Sequence, residues 1–199
     1  MGFKMKKILL MLSGGLDSMV LAERAYRDED IDLVTLFFRY VHPAASHEYM
    51  AQAEWRRLKR LNGARVDHYE IDLPIIAAEL AIGSGRAGPR VVPMRNLAMV
   101  AIASNLAAAI GASEVWFGAN ADDAADYDDC RAGFVNACNQ LTAPYGIIVR
   151  APLLIVTKPE IIAEARELGL SGWASCYQPI ASRPCGSCNS CIANGQAHD

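Results

Sequence analysis

Short apolar runs alternate with amphipathic stretches along this chain, and the alternation predicts its architecture. Strand-like runs occupy residues 6–12, 32–38, 65–73, 114–119 and 147–154. From Ile8 to Leu12 the run is continuously aliphatic, as expected of a strand covered on both faces. Helix-like segments near 18–28, 46–62 and 94–110 lie between the runs. Strands separated by helices read as βαβ units, hence an α/β fold with a parallel sheet and helices on both faces. The segment 46–62 carries Met50, Trp55, Leu58 and Leu61 among charged residues, which predicts an amphipathic surface helix. Its basic cluster Arg56, Arg57, Lys59 and Arg60 reads as the solvated face. Residues 97–110 carry no charge, so that helix is expected to be nearly enclosed, with its alanines packed close on the sheet. Thr157-Lys158-Pro159-Glu160 combines a capping hydroxyl, a first-turn proline and an acid three residues after the cap. With Gly169 as C-cap, these residues frame a helix of about eleven residues.

With 199 residues, about half of them apolar, the chain can bury a core without disulfides. One α/β domain over 1–172, followed by a cysteine-rich tail over 173–199, is the simplest division. A net charge of −3 argues against a nucleic-acid wrapper, which normally carries a basic stripe. No run reaches eighteen apolar residues, so no membrane span is expected. Lys4, Lys6 and Lys7 before an apolar run imitate a signal peptide, but the run ends in a glycine turn without a cleavage site. A cytoplasmic protein is expected, and in a reducing compartment six cysteines call for a metal or catalytic explanation.

Two segments depart from the periodic pattern. Residues 82–89 form a glycine-rich loop, either a lid or a linker. From Trp173 onward the chain has too little apolar periodicity to build a core of its own. Cys185, Cys188 and Cys191 follow one another at intervals of three, with Cys176 nine residues upstream. Four thiolates match a closed tetrahedral zinc shell, and an iron–sulfur cluster uses the same ligand number. Metal binding would supply the folding energy that packing in the tail cannot. Cys130 and Cys138 fall in a different segment.

The most informative run is Leu12-Ser13-Gly14-Gly15-Leu16-Asp17-Ser18, set between the first strand and the first helix. Paired glycines allow a sharp turn, and a helix beginning there aims free N–H groups at one spot suited to a phosphate. Neither the lysine of the common NTPase loop nor a G-x-G-x-x-G fingerprint is present. The run resembles the Ser-Gly-Gly-x-Asp-Ser loop of the ATP pyrophosphatases that adenylate their substrates. That resemblance implies a Rossmann-like sheet of the adenine nucleotide alpha hydrolase type. It also implies ATP held by Leu12, Ser13, Gly14, Gly15, Leu16 and Ser18, with Asp17 helping to hold Mg2+.

Further motifs in consistent order resemble the 7-cyano-7-deazaguanine synthase family. Val92-Pro93-Met94-Arg95-Asn96 is similar to its Val-Pro-x-Arg-Asn signature. Gly118, Asp123, Tyr127, Asp129, Cys130, Arg131 and Phe134 fall on its next segment. Lys158 matches a lysine before the late helix, and Cys176 with Cys185, Cys188 and Cys191 matches its zinc site. The resemblance implies that 7-carboxy-7-deazaguanine and ammonia are converted to a nitrile through adenylated intermediates, with a homodimer as the expected assembly. It makes Asp17, Arg95 and Lys158 the candidate catalytic residues and Asn96, Asp123, Tyr127, Asp129 and Arg131 candidates for reading the base. Zn2+ in the tail and Mg2+ at the phosphates are the implied ions; no nucleic acid or membrane partner is implied.

Departures concentrate on the acceptor side. The family's Ser-Gly-Tyr-Pro-Asp-Cys-Arg is replaced by Ala125-Asp126-Tyr127-Asp128-Asp129-Cys130-Arg131. Its Tyr-Asn-Gln-x-His segment is replaced by Phe38-Arg39-Tyr40-Val41-His42-Pro43. A diverged paralogue acting on a related deazapurine, in a phage or defence system, is one alternative; a non-catalytic nucleotide-binding module is another. Asp126 and Asp128 read as surface acids, and His42 and His47 as loop residues. A nucleophilic role for Cys130 is the weaker reading, since adenylation needs no thiol.

Overall fold

The computed structural model describes residues 5–74, 92–176, 179–180, 183–188 and 191–192. The glycine-rich segment 82–89 lies outside the described residues. Among the described residues, five strands, β1 (Lys6–Met11), β2 (Ile31–Arg39), β3 (Asp67–Asp72), β4 (Glu114–Trp116) and β5 (Ile148–Arg150), form one sheet in the order β3-β2-β1-β4-β5. All four pairings are parallel. The helices are α1 (Leu16–Arg27), α2 (Ala45–Leu61), α3 (Arg95–Ile110), the short α4 (Asp123–Asp126), α5 (Ala132–Thr142) and α6 (Lys158–Glu167).

Central β1 explains why its sequence lacks alternation: Ile8, Leu9 and Leu10 are all fully buried. Ile8, Leu10 and Leu12 pack on one face with Met19, Val20 and Leu21 of α1 and Ile161, Ile162 and Ala165 of α6. Leu9 packs on the other face with Val34, Leu36, Met99 and Ala103. After β1 the chain builds outward through β2 and β3, then returns to lay β4 against the opposite side of β1. This reversal opens a crevice beyond the C-terminal ends of β1 and β4, where open parallel sheets bind ligands.

The late helix begins as its sequence predicts. Glu160 accepts the Thr157 N–H at 2.8 Å, and Gly169 at φ +68 closes the helix while Leu170 N–H reaches the Ala165 carbonyl. Arg24 of α1 ion-pairs with Glu164 of α6, which locks the two helices side by side.

Two helices sit differently from their sequence pattern. In α2 the buried residues are Ala51, Gln52 and Trp55, while Met50, Leu58 and Leu61 face outward. A polar cluster turns this helix. The Trp55 indole N–H donates to Glu23 at 2.9 Å, and Lys59 ion-pairs with the same buried carboxylate at 2.6 Å. Burial opposes the charge on Glu23, but hydrogen bonds from Lys59, Trp55 and Arg27 outweigh it and lower its pKa. Arg56 folds inward as well, onto Gln52 and Glu70. Half of the supposed solvated face is therefore turned inward and only partly exposed.

The second correction concerns α3. Only Met99, Val100, Ala103 and Ala107 are buried, whereas Ala98, Ala101, Ala108 and Ala109 are exposed. Alanine presents so little apolar surface that an exposed row of it costs little. Absence of charge therefore does not imply enclosure. Helix α5 carries no strong periodic signal, and the sequence pattern does not predict it.

Candidate active site

The turn between β1 and α1 lies at the mouth of the crevice. Gly14 adopts φ +89, and a Cβ there would sit 2.1 Å from the Glu48 carbonyl oxygen of α2. Ser18 fastens the turn from inside: its Oγ accepts the Gly14 N–H at 3.1 Å and donates to the Gly15 carbonyl at 2.9 Å. Ser13 Oγ lies 3.0 Å from Ser18 Oγ and accepts the Gly15 N–H at 3.2 Å. Helix α1 starts at Leu16, so its first N–H groups have no carbonyl within the helix to bind, and they add to the positive end of its dipole. On the β4 side, Gly118 lets the strand end approach closely, since a Cβ would lie 3.0 Å from Asp17 Cβ and 3.1 Å from Ser18 N.

Asp17 is the junction of the site. Lys158 Nζ donates to both of its carboxylate oxygens, at 2.9 and 2.8 Å. Lys158 is the first residue of α6 and is therefore not merely solvated. Its backbone N–H donates to Asp122 at 2.6 Å, which ties α6 to the start of α4. Asn120, fully buried, donates from Nδ2 to Asp17 at 3.3 Å and to Asp123 at 2.6 Å. Its Oδ1 accepts the Asp122 and Asp123 N–H groups. Burial and the neighbouring Asp17 charge push the Asp123 carboxyl up to about 6, against the pull of Lys158.

Arg95, the first residue of α3, sits in a second cluster with Tyr40, His42, Glu48 and Asp129. Its Nη1 donates to the Tyr40 hydroxyl at 3.3 Å. Burial works against the guanidinium charge, but Tyr40, Asp129 and Glu48 outweigh it and raise the pKa. Burial pushes Glu48 up to about 7, and it holds His42 at about 4 with help from the Arg95 charge. The Tyr40 and His42 rings stack with centroids 4.4 Å apart. Beside them opens a cavity of about 300 Å³, lined in part by Phe37, Tyr49 and Met50.

Of the residues expected to read the base, Asn96, Asp123 and Asp129 are gathered here. The Asn96 N–H reaches Asp129 at 3.4 Å, and its side-chain amide contacts Cys130 Sγ at 3.8 Å. Tyr127 packs half-buried against the cluster of Val100 and Phe117. Arg131 is not gathered: its Nε donates to the Ala124 carbonyl at 2.8 Å and its Nη1 pairs with Asp128 at 2.6 Å. Asp128 is solvent-exposed, as its sequence context suggests. Burial, with the Asp123 and Asp129 charges, pushes the Cys130 thiol up to about 12. A thiol held protonated is a poor nucleophile, which weighs against a catalytic role for Cys130.

Sequence reasoning passed over Asn120, Tyr40 and Glu48. The available signal for Asn120 was its place after a strand and just before two aspartates, where an asparagine oxygen can take the next free N–H groups. Glu48 carried no such mark; only the contact between α2 and Gly14 reveals it.

The tail supplies a separate centre. Cys176, Cys185, Cys188 and Cys191 bring their sulfurs within 4.8 Å of one another, and Cys185 and Cys191 lie 4.0 Å apart. Backbone N–H groups of Cys185 and Cys191 point at Cys176 and Cys188 sulfurs, at 3.1 and 3.4 Å. Hydrogen bonds from the Ser187 backbone and hydroxyl lead in holding the Cys185 thiol down to about 6. Four sulfurs at this spacing fit around one ion with metal–sulfur bonds of about 2.3 Å. The segment is joined to the phosphate turn, because Ala174 N–H donates to the Gly14 carbonyl at 2.9 Å.

The family model for the queuosine biosynthesis protein QueC matches residues 7–199. The chain belongs to that family. It is 32% identical to the 7-cyano-7-deazaguanine synthase of Anaeromyxobacter sp. (strain Fw109-5), across 94% of this chain and 89% of that protein. The synthase of Chlorobium luteolum is 31% identical, across 97% and 92% of the two chains. Among solved structures, the U34-tRNA thiolase NcsA of Methanococcus maripaludis, solved with its [4Fe-4S] cluster, superposes with a TM-score of 0.60 at 14% identity. That match covers 96% of this chain and 65% of the thiolase. A 4-thiouridine synthetase solved with RNA and ATP gives 0.57 at 21% identity, covering 90% of this chain and 47% of the synthetase. These likenesses show the fold alone, a parallel α/β sheet; the cysteine cluster is read from this chain's own residues. No helix among the described residues is long and apolar enough to cross a membrane.

Proposed function

We propose that this QueC family member converts 7-carboxy-7-deazaguanine and ammonia to 7-cyano-7-deazaguanine at the expense of ATP. The observation that carries the reading is Lys158 Nζ set on both oxygens of Asp17 beside the Ser13–Ser18 turn. A cation, a carboxylate and the start of a helix converge there, as pyrophosphate departure with Mg2+ requires. Mg-ATP supplies the activation, turning a carboxylate into a group that ammonia can attack. Ser13, Gly14, Gly15 and Ser18 shape the phosphate cradle, with Leu12 and Leu16 holding it on the sheet and helix. Asp17 is the ligand for Mg2+, and Lys158 neutralises phosphate charge. Arg95, kept charged by its neighbours, faces the substrate carboxylate, while Asn96, Asp123, Tyr127 and Asp129 border the base.

The tail thiolates hold Zn2+ in a structural role, with no open ligand position required. A homodimer remains the expected assembly from the family resemblance.

A second reading, a diverged member with a related acceptor, has one specific support. Asp128 occupies the position of the family's proline and engages Arg131 at 2.6 Å, turning that arginine to the rim. Incubation with ATP, Mg2+, ammonia and 7-carboxy-7-deazaguanine, followed by mass spectrometry, separates the two. Amide and nitrile products support synthesis. ATP binding without either product rejects the synthase reading in favour of another acceptor or a binding module.

A further inference from the structure

Asn120 is fully buried beside the phosphate turn. It also uses its whole side chain. One amide nitrogen serves two carboxylates on different elements, Asp17 of α1 and Asp123 of α4, at 3.3 and 2.6 Å. The amide oxygen takes two backbone N–H groups, those of Asp122 at 3.0 Å and Asp123 at 3.1 Å. Asp122 in turn accepts the Lys158 N–H, and Lys158 Nζ returns to Asp17. The hydrogen bonds form a closed circuit through Asn120, the end of β4, α4, the start of α6 and the start of α1. Two carboxylates this close repel, and a neutral double donor between them relieves that without adding charge. An aspartate in the same place could not donate, and a shorter side chain could not reach both.

We propose that Asn120 is a positioning residue, which fixes the Asp17 carboxylate toward the phosphate turn and holds Asp123 beside it. Its two halves have separable tasks. The oxygen makes the turn into α4, and the NH2 group aims the carboxylates. The inference rests on the reading of the crevice as an Mg-ATP site.

Two variants separate the tasks. Asn120→Asp keeps the shape and the accepting oxygen but loses both donors. Asn120→Ser keeps a neutral accepting oxygen that is too short to reach Asp17. The expected result is a loss of kcat by about 10²-fold in both, the scale on which misplaced reacting groups matter. KM for the deazapurine should stay within about threefold and both proteins should remain folded. Near-native kcat in either variant would reduce Asn120 to a turn former and overturn the proposal.

Calorimetric titration with ATP, with and without Mg2+, needs no turnover and distinguishes failure of this inference from failure of the functional reading. In the native chain Mg2+ should strengthen ATP binding, and in Asn120→Ser that gain should disappear. If the native chain binds Mg-ATP but makes no product, the assignment of the reaction fails, and this titration still decides the role of Asn120. A full Mg2+ effect in Asn120→Ser would refute positioning outright.

Discussion

Replacing Gly14 by alanine should damage both the stability and the nucleotide site of this protein. The backbone at Gly14 has φ +89, which costs an L-residue about 1–2 kcal/mol. The added Cβ would also lie 2.1 Å from the Glu48 carbonyl oxygen and 2.9 Å from its carbon, both backbone atoms of α2. No side-chain rotation relieves such a contact; the turn and the helix must separate by roughly 1 Å. Overpacking of this kind typically adds about 1–3 kcal/mol. A total near 2–5 kcal/mol corresponds to a fall in Tm of about 4–20 °C for a chain of this size. Gly15→Ala is the control: φ is −71, and the nearest atom is the Ser13 hydroxyl at 3.3 Å, a side-chain atom that needs to give by only a few tenths of an ångström. It should cost under about 1 kcal/mol. Differential scanning calorimetry measures both, and titration with Mg-ATP should show binding lost in Gly14→Ala. A Gly14→Ala protein melting within about 2 °C of the native chain, with unaltered affinity, would refute the close-contact reasoning.

The other predictions are independent of that turn. Met94, a residue 68% exposed, holds φ +58 ahead of α3. Met94→Gly should relieve about 1–2 kcal/mol of strain at a backbone cost of about 0.5–1, raising Tm by up to about 6 °C; Met94→Ala should not. Glu48 carries a pKa raised from 4.5 to about 7, so the folded state holds its proton more tightly and stability falls as pH rises from about 4.5 through 7. Glu48→Gln should therefore gain up to about 3 kcal/mol over the native chain at pH 8 and little at pH 4, and parallel melting curves at both pH values would count against this. Cys188→Ser should lower bound metal below the roughly one ion per chain expected of the native protein by elemental analysis. Full occupancy in that variant would remove Cys188 from the ligand set.

The parallel sheet and the phosphate turn were legible in the sequence because burial on both faces and glycine geometry leave direct marks. The capping box at Thr157 and Glu160 was legible for the same reason, since its partners are neighbours in the chain. Three-dimensional choices were not. Trp55 faces inward and Leu58 outward in α2 because Glu23, some thirty residues away, demands an indole donor and an ammonium. No periodicity in 46–62 encodes that. Arg131 matched a motif by spacing, yet its neighbour Asp128 claims it in space. Asn120 escaped notice because a single amide in a loop acquires its role only from the carboxylates that converge on it.

The hydrogen bond from Ala174 to the Gly14 carbonyl joins parts of the chain about 160 residues apart. During synthesis the phosphate turn emerges about 160 residues ahead of this backbone partner. A nascent chain can thus assemble most of its sheet while the nucleotide cradle stays unfinished. Contacts this distant in sequence close late and slowly. Competence to hold a nucleotide would then appear abruptly, with metal capture by the neighbouring cysteines, rather than growing in step with the sheet.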